Sequence, residues 1–142
     1  MIHIKKLKIH KDSRGWLAEI LRREEIDTNK KFGQFYVTAA RPGIAKANHY
    51  HKRKTEWFCI VRGKGKLVLK DLKTNEIQEI IIGEGNMATV KIPPNVAHGV
   101  KNIGKGTMYL LAYVDEPFFA EDSDTYQYEV ICSDVDKLPE KE

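Results

Sequence analysis

Apolar and β-branched residues alternate with polar ones in short runs along the chain: Ile2–Ile9, Trp16–Leu21, Phe32–Ala39, Glu56–Val61, Lys66–Asp71, Ile77–Ile82, Met87–Ile92 and Thr107–Val114. Side chains on a strand point alternately to its two faces, so each run predicts a strand with one face buried. Asp12-Ser13-Arg14-Gly15, Arg41-Pro42-Gly43, Lys73-Thr74-Asn75, Gly83-Glu84-Gly85, Pro93-Pro94-Asn95 and Gly104-Lys105-Gly106 supply the turns between the runs. Eight strands at this spacing predict an all-β fold of two packed sheets. Arg22–Lys31 has no 3.6-residue apolar stripe and reads as a loop or one short turn. Tyr126, Tyr128, Val130 and Cys132 alternate and could add a last strand. The pattern leaves room for a single domain over residues 1–130, followed by an acidic C-terminal tail over 131–142.

The length, 142 residues, suits one domain with a core that needs no staples. The longest uninterrupted apolar stretch, Met108 to Val114, has seven residues, far short of the roughly 18 that suggest a membrane span. The N-terminus places a charge or histidine at nearly every second position, unlike a signal peptide. A cytoplasmic protein with no membrane partner is the expectation. Cys59 and Cys132 have no C-x-x-C spacing and read as reduced thiols rather than a bridge. The net charge of +4 hides an asymmetry: positions 1–114 carry +12, and positions 115–142 carry −8. A basic body could bind nucleic acid, a phosphorylated metabolite or its own tail. Its cations are scattered between apolar strands, without a recognition-helix pattern or the signature of an RNA-binding sheet, so nucleic acid is not the expected partner and a small anion is.

Chemistry concentrates in one pattern. From Gly43 the chain reads G-x5-H-x-H-x4-E-x6-G, filled by Gly43, His49, His51, Glu56 and Gly63, and His98 follows later. Residues i and i+2 on a strand share a face, so His49 and His51 project together, and a turn over Lys52–Thr55 returns Glu56 on the adjacent strand. Three imidazoles and a carboxylate form a mixed nitrogen and oxygen donor set that suits zinc, Fe(II), Mn, Ni or Cu(II).

This segment resembles the first signature of the cupin superfamily at every fixed position, and Pro93, His98 and Asn102 match part of the second; Met87 and Asn95 stand where that signature has glycines. The resemblance implies a jelly-roll barrel, the double-stranded β-helix, in agreement with the strand pattern. Asp12-Ser13-Arg14-Gly15-Trp16 with Glu19, Gln34, Pro42-Gly43, His49-Tyr50, Ile92-Pro93-Pro94 and Ala97-His98-Gly99 resemble the nucleotide-sugar 3,5-epimerases of the dTDP-rhamnose pathway. That family has arginine, glycine and glutamine where this chain has Lys46, Ala47 and His51, and it uses no metal. A closer resemblance is to the zinc-binding cupin domain at the C-terminus of bifunctional capsular-polysaccharide epimerase/reductases. It rests on Asn48-His49-Tyr50-His51, Lys54, Glu56, Phe58, Glu116-Pro117-Phe118 and Asp124-Thr125-Tyr126. Sugar 3,4-ketoisomerases are a third similar group.

The resemblance implies a metal-dependent epimerase or ketoisomerase for a nucleotide-linked 4-keto-6-deoxy sugar in surface polysaccharide biosynthesis, with zinc at His49, His51, Glu56 and His98, working as a homodimer. An oxygenase or lyase, or a sugar-binding module without catalysis, are the alternatives that the cupin fold also accommodates. The catalytic candidates are His49, Tyr50 and Lys46; as a metal ligand His49 could not also be the free base. Arg41, Lys46 and Lys64 are candidates to meet a diphosphate, and Gln34, Tyr36 and Tyr113 are further candidates to contact the substrate.

Overall fold

The computed structural model describes residues 2–134, and twelve strands account for most of them. They are β1 (His3–Lys6), β2 (Ile9–Asp12), β3 (Gly15–Ala18), β4 (Gln34–Ala40), β5 (Ala45–Tyr50), β6 (Glu56–Arg62), β7 (Lys64–Asp71), β8 (Ile77–Gly83), β9 (Ala88–Ile92), β10 (Val96–Asn102), β11 (Met108–Val114) and β12 (Tyr126–Gln127). Two five-stranded antiparallel sheets, ordered β1-β9-β6-β11-β4 and β12-β5-β10-β7-β8, face each other, and β2 and β3 form a separate hairpin. The fold is a cupin jelly-roll barrel. Its core is an apolar cluster that includes Phe58, Ile60, Leu67, Leu69, Ile82, Val90, Ile92, Val100 and Leu110. No helix among the described residues is long and apolar enough to cross a membrane.

The count of eight strands was too low, and the strands it lacked are informative. Ile2–Ile9 is not one strand: β1 joins a sheet, while Ile9 opens the hairpin. Trp16–Leu21 stops at Ala18, and within Arg22–Lys31 only Arg23–Glu25 forms a single 3-10 turn. β5 and β10, which carry His49 and His98, escape the alternation test because their burial does not alternate. A strand covered on both faces loses its period of two. The cover is the segment around Val130 and Ile131: a Cβ on Gly99 would stand 2.4 Å from Asn48 Oδ1 and 2.8 Å from the Ile131 side chain.

That segment also bears on the division at residue 130. Ile131 accepts a hydrogen bond from Asn48 Nδ2, Ser133 Oγ accepts one from the Ala45 amide, and the Asp134 amide donates to Gly43. Residues 131–134 therefore run along β5, and the rest of the stretch assigned to the tail, 135–142, lies outside the described residues. Acidic side chains beyond residue 114 return to the basic body: Glu116 pairs with Lys30 at 2.6 Å and Arg53 at 3.1 Å, and Asp134 pairs with Lys101 at 2.6 Å. Exposed pairs of this kind each contribute little stability. Cys59 is buried, Cys132 is exposed, and both are free thiols.

At the end of the barrel away from the β5–β6 connection, Asn102 is buried and fully used. Its Nδ2 donates to the carbonyls of Ala40 and Gly106, each at 2.8 Å, and its Oδ1 accepts from the Gly104 amide at 2.9 Å. Asn102→Ala leaves these backbone groups unpaired and is expected to lower unfolding stability by about 1–3 kcal/mol. Urea denaturation of the variant checks this.

Candidate metal centre

The β5–β10 pairing sets His49 directly across from His98, and the β5–β6 connection brings Glu56 back beside His51. Ala47 and Asn48 both have positive φ, +69° and +55°, and they coincide with a register shift between the two strands. This bulge re-aims the chain just before His49. Asn48 holds it, with Oδ1 accepting the Val130 and Ile131 amides and Nδ2 donating to the Ile131 carbonyl.

His49, His51, Glu56 and His98 each offer one donor atom, and the four atoms lie within 4.8 Å of one another. Glu56 Oε1 is the hub: it is hydrogen-bonded to His51 Nε2, and stands 3.3 Å from His98 Nε2 and 3.6 Å from His49 Nε2. Tetrahedral ligands about 2.1 Å from a common zinc stand about 3.4 Å apart, which the distances of His98 and His49 from Glu56 match. His49 Nε2 and His98 Nε2 are buried without a hydrogen-bond partner, which is costly for a polar atom unless something else binds it. The other ring nitrogens of His51 and His98 meet the carbonyls of Asp124 at 2.7 Å and Val96 at 3.0 Å. A neutral ring that donates from Nδ1, as His98 does, presents a lone pair at Nε2; His51 does so once a metal displaces the proton it shares with Glu56. On this ground the residues fit a divalent cation.

The charges agree. Burial pushes the Glu56 carboxyl up, but the three imidazoles around it outweigh that and hold it well below the usual carboxylate range. Burial holds His49 below the ordinary imidazole value, which favours the neutral form that binds metal. Burial acts the same way on His51, but Glu56 and the Asp124 carbonyl outweigh it and raise that ring. The second carboxylate oxygen, Oε2, accepts the Tyr36 hydroxyl at 3.1 Å; burial and the Glu56 charge push that phenol well up, so it stays a donor.

The other predicted residues divide. Tyr36 and Thr38 pair with Ala112 and Leu110, which are core residues, so both face the interior from β4; the Lys46 ammonium reaches the same side and donates to Thr38 Oγ1 at 2.6 Å. Gln34 sits level with Glu56, both being paired with Val114, and its Oε1 accepts the Phe118 amide. Tyr50 is not in the cluster. It lies between two inward histidines, so it faces outward, where it stacks on Tyr126 at 5.2 Å. Tyr113 also faces away, packed against Phe32 and Trp57 with its hydroxyl accepting the Gly33 amide. Arg41 and Lys64 lie at the far end of the barrel. Arg41 is in the β4–β5 turn, more than four strand residues, roughly 13 Å, from His49. Lys64 follows all of β6 after Glu56. A cleft of about 660 Å³ lined by Lys6, Trp16, Arg62 and Met87 among others includes none of the four donors. Sequence reasoning missed Asp124 as a partner of His51 and the bulge at Ala47–Asn48; the signal for the bulge was Asn48, a residue that tolerates left-handed backbone.

The family model described as polysaccharide biosynthesis C-terminal domain matches residues 10–126. Over 83% of its length the chain is 30% identical to the UDP-2-acetamido-2,6-β-L-arabino-hexul-4-ose reductase of Pseudomonas aeruginosa, of which it spans only 30%. Two relatives of similar size are the spore coat polysaccharide biosynthesis protein SpsL of Bacillus subtilis, 32% identical over 79% of this chain and 77% of that protein, and the probable low-salt glycan biosynthesis epimerase Agl13 of Haloferax volcanii, 28% identical over 87% and 83%. Among solved structures, the capsular polysaccharide assembling protein CapF of Staphylococcus aureus superposes with a TM-score of 0.67 at 32% identity, over 87% of this chain and 34% of CapF.

Proposed function

The chain belongs to the polysaccharide biosynthesis C-terminal domain family, and from that membership we propose that it is a metal-dependent epimerase acting beside the ketone, at C3, of a nucleotide-linked 4-keto-6-deoxy sugar. The observation that carries the proposal is the convergence of four donor atoms inside the barrel, two of them buried imidazole nitrogens with no partner. The relatives named for a UDP-linked hexul-4-ose and for a glycan biosynthesis epimerase support the substrate class and the reaction.

His49, His51, Glu56 and His98 would hold the metal, zinc in this reading. It would supply Lewis acidity toward a ketone oxygen, which makes the neighbouring C–H easier to ionise. The remaining steps belong to the chain. Tyr36 holds one oxygen of Glu56 and leaves the other to the histidines. Lys46 lies on the interior side of β5 with a hydroxyl partner, placed to return a proton to the substrate after a base has taken the one beside the ketone. Gln34, fixed to the Phe118 backbone, shapes the rim at the level of Glu56. Arg41 and Lys64 stand away from the four donors, so any part they take would be at the diphosphate end of a bound nucleotide sugar and not at the ketone.

The test is incubation in heavy water with UDP- and dTDP-linked 4-keto-6-deoxy sugars. Deuterium is expected at the carbon next to the ketone in at least one of them, read by mass spectrometry and proton NMR. Absence of incorporation into every such sugar by metal-replete protein overturns the reading.

A further inference from the structure

Asp124 lies far from the donor cluster in sequence, and it reaches His51 and the connection between His51 and Glu56 at once. Its backbone carbonyl accepts from His51 Nδ1 at 2.7 Å. Its carboxylate accepts three successive amides of the β5–β6 connection: Lys52 at Oδ1, 3.1 Å, and Arg53 and Lys54 at Oδ2, 2.9 and 3.1 Å. The residue is buried and has φ of +50°, a left-handed conformation that costs a residue other than glycine energy and that Asp tolerates better than most. Such strain persists where the surroundings fix it. Here they do so from both sides: Lys54 Nζ donates to the Ser123 carbonyl at 3.0 Å, and Tyr126 pairs with Tyr50 on β5.

We infer that Asp124 is the positioning residue of the metal centre: its left-handed backbone aims a carbonyl at His51, which sets that ring's tautomer, while its carboxylate fixes the connection that leads from His51 to Glu56. The inference rests on the metal reading above. The physical reason is economy of reference points. Glu56 is fixed by the pairing of β6 with β9 and β11, whereas His51 lies beyond the end of β5, at the head of a four-residue connection with no sheet partner of its own, which leaves its ring free to shift. An external anchor common to the ring and to the connection removes that freedom. His98 needs no such anchor, because its ring is tied to Val96 on its own strand.

Two substitutions in the full chain separate the backbone function from the carboxylate. Asp124→Gly removes the carboxylate and keeps the left-handed angle. Asp124→Val removes the carboxylate and, being β-branched, disfavours that angle. The tautomer of His51 is read by ¹⁵N NMR on metal-free protein, and zinc affinity by competition with a chromophoric chelator. In the wild type and in D124G Nδ1 of the ring is expected to be protonated, whether or not Nε2 also holds a proton toward Glu56. In D124V the form protonated on Nε2 alone is expected to appear and zinc affinity to fall about 10- to 100-fold, the range seen when a ligand loses its outer partner. D124G is expected to lose less, through the loosened connection alone. A wild-type tautomer together with wild-type affinity in D124V overturns the inference. Should D124V not fold, D124G decides: unchanged zinc affinity there overturns the inference, and reduced affinity with the tautomer kept supports it. If the wild type itself binds no zinc while the tautomer shifts as expected, the metal reading fails and the orienting role toward His51 stands.

Discussion

Treated with a chelator until metal-free, the protein is expected to stay folded and to lose proton exchange at the carbon beside the sugar ketone. The fold is expected to survive for two reasons. The core is a continuous apolar cluster from both sheets, including Phe58, Ile60, Leu67, Leu69, Ile82 and Val90, of a kind that a domain this long sustains without a metal staple. The four donors also satisfy one another in part without an ion: Glu56 is hydrogen-bonded to His51 and Tyr36, and the outer nitrogens of His51 and His98 rest on carbonyls. Exchange is expected to vanish because nothing else among the described residues offers a comparable positive centre at the Glu56 level of the interior. Circular dichroism reports the fold, metal analysis the depletion, and deuterium incorporation the exchange. Add-back of zinc should restore exchange. Undiminished exchange in verified metal-free protein would falsify the Lewis-acid reading while leaving the epimerase assignment open to a His49 free base.

The donor set was legible in the sequence because its geometry is local. His49 and His51 differ by two on a strand, and a short connection returns Glu56, so three of four donors follow from the period of a strand alone. The same rule places Tyr50 outside, since a residue between two inward histidines faces outward. Tyr113, Arg41 and Lys64 needed information that no spacing carries. Which face of β11 is inward depends on the pairing of Ala112 with Phe58, and which end of the barrel a turn occupies depends on the order of strands in two sheets. β5 and β10 were hidden by burial on both faces, so the strands nearest the chemistry gave the weakest strand signal. Asp124 marks the limit: its four hydrogen bonds to His51 and the connection span some seventy residues, and an Asp in an acidic stretch gives no sign of them. Family resemblance had already singled out Asp124-Thr125-Tyr126, without a physical reason for it.

Lys46→Met is expected to lower the exchange rate about 10²- to 10⁴-fold, the contribution typical of a positioned proton-transfer group. Methionine keeps the length and apolar stem of lysine and removes the ammonium. The geometry singles out Lys46 because its Nζ lies on the inward side of β5, bonded to Thr38, two residues along β4 from the Tyr36 that holds Glu56. Among the described residues that ammonium has a hydroxyl and no carboxylate as partner, so no ion pair must break before it meets a substrate. The lost bond to Thr38 should cost about 1 kcal/mol of stability and no more. Zinc affinity should stay at the wild-type value, because Lys46 touches none of the four donors. Tyr50→Phe is the control: its ring stacks on Tyr126 outside the barrel, and its rate should remain within about twofold of wild type. Rates are read as deuterium incorporation under saturating sugar, with metal content measured on the same samples. A wild-type rate in Lys46→Met excludes Lys46 as the proton carrier, whereas a fall matched by Tyr50→Phe points to a general loss of barrel structure instead of a chemical role.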